Sequence, residues 1–237
     1  MLGVKLHRGG VKSAVLTVCC PSAKYMIKML TDTLRNVVGE ARCRIFDWQH
    51  RVRTCGNADL ADLTLVGNNI DHAVHYHPAH PKFLFEVFSS LKIDYSAYTF
   101  VDFGSGKGRA LLVASEFSFS EILGVEFATE LHEIACQNIR RYRSKTQKCK
   151  NVQSLNLDAA EFEVPSTPLV LYLYNPFRPS VLSIVLQRLQ RSLNSHPRDV
   201  ILIYAAPFHA GLIEQQTALR CVEKSSYHNT YRFEHHS

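Results

Sequence analysis

The residues best suited to chemistry form one short run, Asp102-Phe103-Gly104-Ser105-Gly106-Lys107-Gly108, set between an apolar stretch and a helical pattern. A strand that turns at once into a helix while a ligand lies against the turn needs glycine. A Cβ there blocks both the tight turn and the close approach of backbone to ligand. The helix that follows points unpaired N–H groups at the same place. Two familiar glycine loops fail on spacing. The phosphate-cradling G-x-x-x-x-G-K-[ST] would need glycine where Val101 stands and a hydroxyl where Gly108 stands. The dinucleotide fingerprint G-x-G-x-x-G would need glycine at Arg109, which disfavours a nucleotide triphosphatase and an oxidoreductase alike.

Further candidates follow downstream. Glu126 closes the apolar run Leu123-Gly124-Val125, and Asp158 follows Leu157 and precedes Ala159. An acid at a strand end is by itself as consistent with a helix cap as with a ligand. Three acids at three successive strand ends of a parallel sheet are a constellation, because open α/β folds bind ligands along that edge. Leu173-Tyr174-Asn175-Pro176-Phe177 ends a fourth apolar run. His209 could serve as a general base or simply open a helix. The tract His72-Ala73-Val74-His75-Tyr76-His77-Pro78-Ala79-His80 packs four imidazoles together, yet has only Asp71 for company, and no metal is expected there.

The elements that must position these residues begin near His77–Pro81, where two prolines punctuate the chain. Apolar spacing predicts helices over 82–91, 109–117, 130–142, 179–193 and 212–217, and buried strands over 98–103, 122–126, 152–157, 169–174 and 200–205. This alternation predicts βαβ units around a parallel sheet. The last two predicted strands, 219–223 and 231–235, are separated by Ser225, Ser226, His228 and Asn229, a connection suited to an antiparallel hairpin.

Composition sets the outer limits. The 237 residues carry a formal charge of +6, and residues 1–56 hold ten Lys and Arg against three acids. Such a basic arm can hold nucleic acid by counterion release, and it can equally be a solvated extension. The lack of acids before Asp32 also suits an organelle-targeting presequence. Seven cysteines without a C-x-x-C pair suggest neither a disulfide framework nor a zinc ribbon. No run reaches the roughly 18 apolar residues of a membrane span, so a soluble, cytoplasmic protein is expected.

Asp102, Gly104, Gly106 and Gly108 resemble motif I of the class I, Rossmann-like S-adenosylmethionine-dependent methyltransferases. The Gly-Ser-Gly-Lys-Gly-Arg loop and the Tyr-Asn-Pro-Phe run are similar to those of small bacterial members, over about residues 47–237. The resemblance implies a seven-stranded, mostly parallel sheet with helices on both faces and a carboxyl-terminal antiparallel hairpin. It implies S-adenosyl-L-methionine as cofactor, with Asp102 at its methionine end, Gly104, Ser105, Gly106 and Gly108 against it, Glu126 on the ribose hydroxyls, and Asp158 with Ala159 at the adenine. Lys107 would meet the methionine carboxylate or remain solvated.

Asn175-Pro176-Phe177 resembles motif IV of amino methyltransferases, with one proline where that motif has two. There Asn175 would orient a target nitrogen and Phe177 would pack on it, which makes nitrogen the expected acceptor atom. The implied domains are a basic extension over 1–46, a cofactor-covering segment over 47–80 with Tyr76 as a lid residue, and a methyltransferase core over 81–237. The competing reading is a non-catalytic cofactor-binding adaptor whose basic arm holds nucleic acid or protein. The acceptor itself, whether protein, nucleic acid or small molecule, is left open.

Overall fold

A computed structural model describes residues 37–56, 58, 63–67 and 78–235. The chain divides into two compact units, Met1–Glu40 and Ala41–Ser237, and the second carries the fold. Tyr76 and the histidines at 72, 75 and 77 lie outside the described residues. His80, the last of that tract, caps a helix, its Nδ1 accepting from the Lys82 N–H at 3.2 Å.

The second unit opens with the end of helix α1, residues 41–50. The remaining elements run α2 (Pro81–Ser89), β1 (Thr99–Phe103), α3 (Arg109–Ala114), β2 (Glu121–Glu126), α4 (Thr129–Arg141), β3 (Val152–Asn156) and β4 (Leu169–Tyr174). They continue as α5 (Pro179–Ser195), β5 (Val200–Ala205), α6 (Ala210–Gln216), β6 (Arg220–Lys224) and β7 (His228–Phe233). One seven-stranded sheet has the order β3-β2-β1-β4-β5-β7-β6. The first five strands are parallel neighbours and β7 runs antiparallel between β5 and β6.

β1, β4 and β5 are covered on both faces, which is why they read as continuous apolar runs rather than alternating ones. Odd-numbered residues such as Val101, Phe103, Leu171 and Leu173 pack with Val181, Leu182 and Leu186 of α5. Even-numbered ones such as Phe100, Val170 and Tyr172 pack with Leu84 and Phe88 of α2 and Leu111 of α3. Phe88 is the hinge of that second layer, its ring edge-on to Phe100 at 5.1 Å and to Tyr172 at 5.8 Å.

One expectation needs correction at the carboxyl end. His228 and Asn229, expected in the connection, are the first residues of β7, paired with Ala205 and Tyr204. Their polarity suggested a turn, but a strand inserted between two others satisfies its backbone on both sides, and that outweighs side-chain propensity.

Candidate cofactor and acceptor site

β1 delivers Asp102 into the layer beneath α2 and α3, where it is buried. Loss of water, and then the charge of nearby Glu126, raise its carboxyl well above the usual carboxylate range. Burial thus disfavours its charged form, with no cation beside it among the described residues. Beyond β1 the backbone enters the left-handed region three times, at Gly104 (φ 75°), Gly106 (φ 53°) and Gly108 (φ 83°). These values are strained for any residue with a Cβ. The loop folds back on β2, the N–H groups of Gly104 and Ser105 both donating to the Val125 carbonyl at 2.9 and 3.1 Å.

Glu126, at the end of β2, is buried, and desolvation lifts its carboxyl to about 7. Three backbone N–H groups moderate that rise, those of Ala128, Gly106 and Phe127, with Ala128 donating to Oε1 at 2.9 Å and Gly106 to Oε2 at 2.7 Å. Beyond β3, Asp158 is buried and its Oδ1 accepts from the Ala160 N–H at 2.9 Å, which fixes the turn holding Ala159. β1, β2 and β3 are adjacent. The register sets Asp102 opposite Gly124 and Glu126 opposite Asn156, so from Asp102 to Glu126 to Asp158 each acid stands two residues further out along the sheet.

A strap crosses this edge from before the core. Val66 donates to Phe127 O, Leu65 pairs with Ala128, and Thr129 donates to Thr64 O. The strap brings Gly67 so close to Asp158 that a Cβ on Gly67 would stand 2.5 Å from the Asp158 Cβ. Gly67 was not singled out from the sequence, where only its place between Val66 and Asn68 could have marked it.

Behind the loop, Arg109 is buried and holds four partners, donating to Thr54 Oγ1, Ala79 O, Cys43 Sγ and Cys55 Sγ. Asp47 accepts from the N–H groups of Thr54 and Cys55 and from the Thr54 hydroxyl. Lys107 is neither solvated nor directed at a ligand. Its Nζ donates to Cys55 O at 2.9 Å and Gly56 O at 3.0 Å, so it ties the glycine loop to the segment before it. Ser105 is buried, and its Oγ has no hydrogen-bond partner. Gly124 leaves the space it occupies, since a Cβ on Gly124 would approach that oxygen to 2.7 Å.

Beyond the glycine loop stand the ends of β4 and β5. A Cβ on Gly104 would lie 2.5 Å from the Cβ of Pro176, so the glycine loop and the loop after β4 are in direct contact. Asn175 (φ 42°) and Ala206 (φ 47°) are both left-handed, each directly after the paired residues Tyr174 and Ala205. For residues with a Cβ this conformation costs about 1–2 kcal/mol, and such strain clusters at functional sites. Buried Tyr204 links the two loops, donating its hydroxyl to Asn175 Oδ1 at 3.0 Å while accepting a backbone hydrogen bond from His209. The Phe177 ring is partly buried and faces Phe103 at 6.2 Å. His209 stands at the start of α6 without a side-chain cap bond. Among the described residues no His, Cys, Asp and Glu cluster could hold a metal.

The residues fit a sulfonium nucleoside. A Cβ on Gly104 would meet Pro176 and one on Gly108 would meet Ala135, and buried carboxyls of the kind beside them can accept from ammonium, hydroxyl and amino donors. The family model for "Histone methylation protein DOT1" matches residues 71–167. No curated protein sequence matches.

Solved structures similar in fold include an RNA methyltransferase from Salinibacter ruber in complex with S-adenosyl-L-homocysteine, at 20% identity and TM-score 0.44, covering 66% of this chain and 92% of that one. Another is magnesium protoporphyrin IX methyltransferase from Synechocystis PCC 6803 with bound SAM, at 12% identity and TM-score 0.45, covering 65% and 78%. A third, a predicted N6-adenine-specific DNA methylase from Listeria monocytogenes, has 12% identity and TM-score 0.49, covering 66% and 51%. Strand order, closing hairpin and glycine loop agree: the chain has the class I, Rossmann-like fold that S-adenosylmethionine-dependent methyltransferases share, and the family model falls on its first three strands.

Proposed function

We propose that this protein transfers a methyl group from S-adenosylmethionine to a nitrogen acceptor held by the loop after β4. The observation that carries this reading is the contact between Gly104 and Pro176, which leaves a ligand on the glycine loop facing Asn175. When bound, the cofactor supplies a methyl group already activated on a positive sulfur. The chain's part is then positioning rather than acid or base chemistry.

Asp102 holds the methionine end, the glycine loop and Ser105 pack along it, Glu126 takes the ribose and Asp158 with Ala159 the adenine. Asn175 accepts a hydrogen from the target nitrogen through Oδ1, whose other acceptor site Tyr204 fills. Held so, the nitrogen lone pair would face the methyl group that the bound cofactor would supply, and the proton lost by the nitrogen would pass to water. Phe177 braces the loop against Phe103 and offers its exposed edge to the acceptor. Residues 47–80 act as a cover tied down at Arg109 and Lys107.

The test is transfer of isotopically labelled methyl groups to fractionated cell extract. Wild type labels one fraction. Asn175→Ala binds S-adenosylhomocysteine as wild type does but loses labelling about a hundredfold. Tyr204→Phe lowers kcat about tenfold and leaves the cofactor KM unchanged, since one hydrogen bond of orientation is worth about 1 kcal/mol or somewhat more. Labelling that survives Asn175→Ala intact would overturn the assignment.

A further inference from the structure

Outside this site the chain carries a surface of uncompensated positive charge. Between Asn138 and Asn151 the sequence has Arg140, Arg141, Arg143, Lys145, Lys148 and Lys150 and no acid, and all six cations are exposed. A second segment is bonded alongside. Arg143 N donates to His50 O at 3.2 Å. Asn138 brackets Arg53, its Oδ1 accepting from the Arg53 N–H at 2.8 Å and its Nδ2 donating to the Arg53 carbonyl at 3.2 Å. These bonds set Arg51 and Arg53, both exposed, beside the end of α4.

Two acids packed on these segments are bonded to neutral donors rather than to the cations. Asp47 is taken by Thr54 and Cys55. Glu116 is taken by the hydroxyls of Tyr142 and Thr146. Among the described residues none of the eight cations forms an ion pair. Eight like charges held together repel one another and destabilise the fold unless a polyanion meets them.

An aromatic ring completes the surface. Trp48, the only tryptophan of the chain, is 80% exposed on α1, one turn after Arg44, on the face turned away from Phe46 and His50, which meet Tyr142. An exposed ring among cations is the arrangement that holds single strands, the charges tracking phosphates and the ring stacking on a base. A lipid surface would call for a broad apolar face beside the charges. No large apolar side chain is exposed within residues 138–151, and on the part of α1 in this unit only Ile45 and Trp48 are, which is not a broad face.

We infer that this surface binds single-stranded nucleic acid, with phosphates on the cations of α4 and residues 51–53 and a base on Trp48. The segment continues from Arg53 to Cys55 and Gly56, whose carbonyls hold Lys107 of the glycine loop, so a bound strand runs toward the cofactor. That the strand also carries the methyl acceptor rests on the activity proposed above.

The test is fluorescence anisotropy of labelled 20-residue RNA and DNA strands with the full chain at about 50 and 200 mM salt. Binding is expected, weakening with salt by a log–log slope of about −0.7 for each phosphate engaged. Replacing Arg140, Arg141 and Arg143 together by Glu lowers affinity at least tenfold and flattens the slope. Trp48→Ala weakens single strands about tenfold and keeps the slope.

Equal binding by wild type and the triple variant at low salt overturns the inference. So does tighter binding to duplex, to anionic vesicles or to an acidic peptide than to single strands. Titration of S-adenosylhomocysteine is run on the same proteins. Strand binding without cofactor binding sinks the catalytic reading and leaves this surface standing, and the reverse result does the opposite.

Discussion

Glu126 has the most exposed consequence at the level of single residues. Its carboxyl sits at about 7 in the folded chain against an ordinary 4.5. Between those values the folded state keeps a proton that the unfolded chain has lost, so the contribution is fully present below pH about 4.5 and gone above about 7. The difference is on the order of 3 kcal/mol. The ligand-free protein should therefore lose stability as pH rises from 5 to 7.5, and Glu126→Gln should flatten that part of a urea-denaturation series.

Cofactor binding should run the other way. A ribose diol is held best by an ionised Glu126, so affinity should climb as pH passes about 7, with a proton released. Calorimetry in buffers of different ionisation enthalpy reads that release, and a flat pH profile would remove Glu126 from the ligand. The sequence revealed Glu126 because it ends an apolar run. It could not reveal that Lys107 is spent on Cys55 and Gly56, since that bond joins residues 51 positions apart.

Among the elements, the connection from β1 to α3 was legible nearly to the residue, because glycine spacing, an apolar strand and an apolar helix agree there. The β6–β7 hairpin was legible only in kind, since the pairing of His228 with Ala205 is set by a strand far away in sequence. The strap over 63–67 was not legible at all. It has one isolated bridge and no periodicity, and its only mark is a glycine that makes room for Asp158.

Two glycines separate conformational need from mere presence. Gly104→Ala must add a Cβ in the left-handed region and against Pro176, and should cost more than 2 kcal/mol and abolish cofactor binding. Gly211→Ala, inside α6 with nothing nearer than Gln215 at 3.8 Å, should gain about 0.5–1 kcal/mol. Paired melting curves check both. Equal effects at the two positions would mean that the loop's geometry is not what its glycines serve.

At the scale of the whole molecule, the site is a place where distant parts of the chain meet: Gly67, the glycine loop, Glu126, Asp158 and Pro176 reach one edge of one sheet by separate routes. The unfolded chain has no such place, so a cofactor binds the folded state alone and shifts the unfolding equilibrium by mass action. S-adenosylhomocysteine at a hundred times its Kd should add about 2.7 kcal/mol. For a unit of this size that raises Tm by about 5–10 °C.

The increment should vanish in Gly104→Ala, which removes the cradle, and shrink in Glu126→Gln, which leaves the cradle and removes one charge. Replacing Arg140, Arg141 and Arg143 by Glu should leave it unchanged, because their surface lies outside the cradle. NADH should produce no shift, since the loop lacks the third glycine that a dinucleotide requires. A differential scan across these four proteins and two ligands separates a cofactor held by the assembled edge from one that merely adheres to a basic protein, because adhesion would follow the arginines and not the glycine.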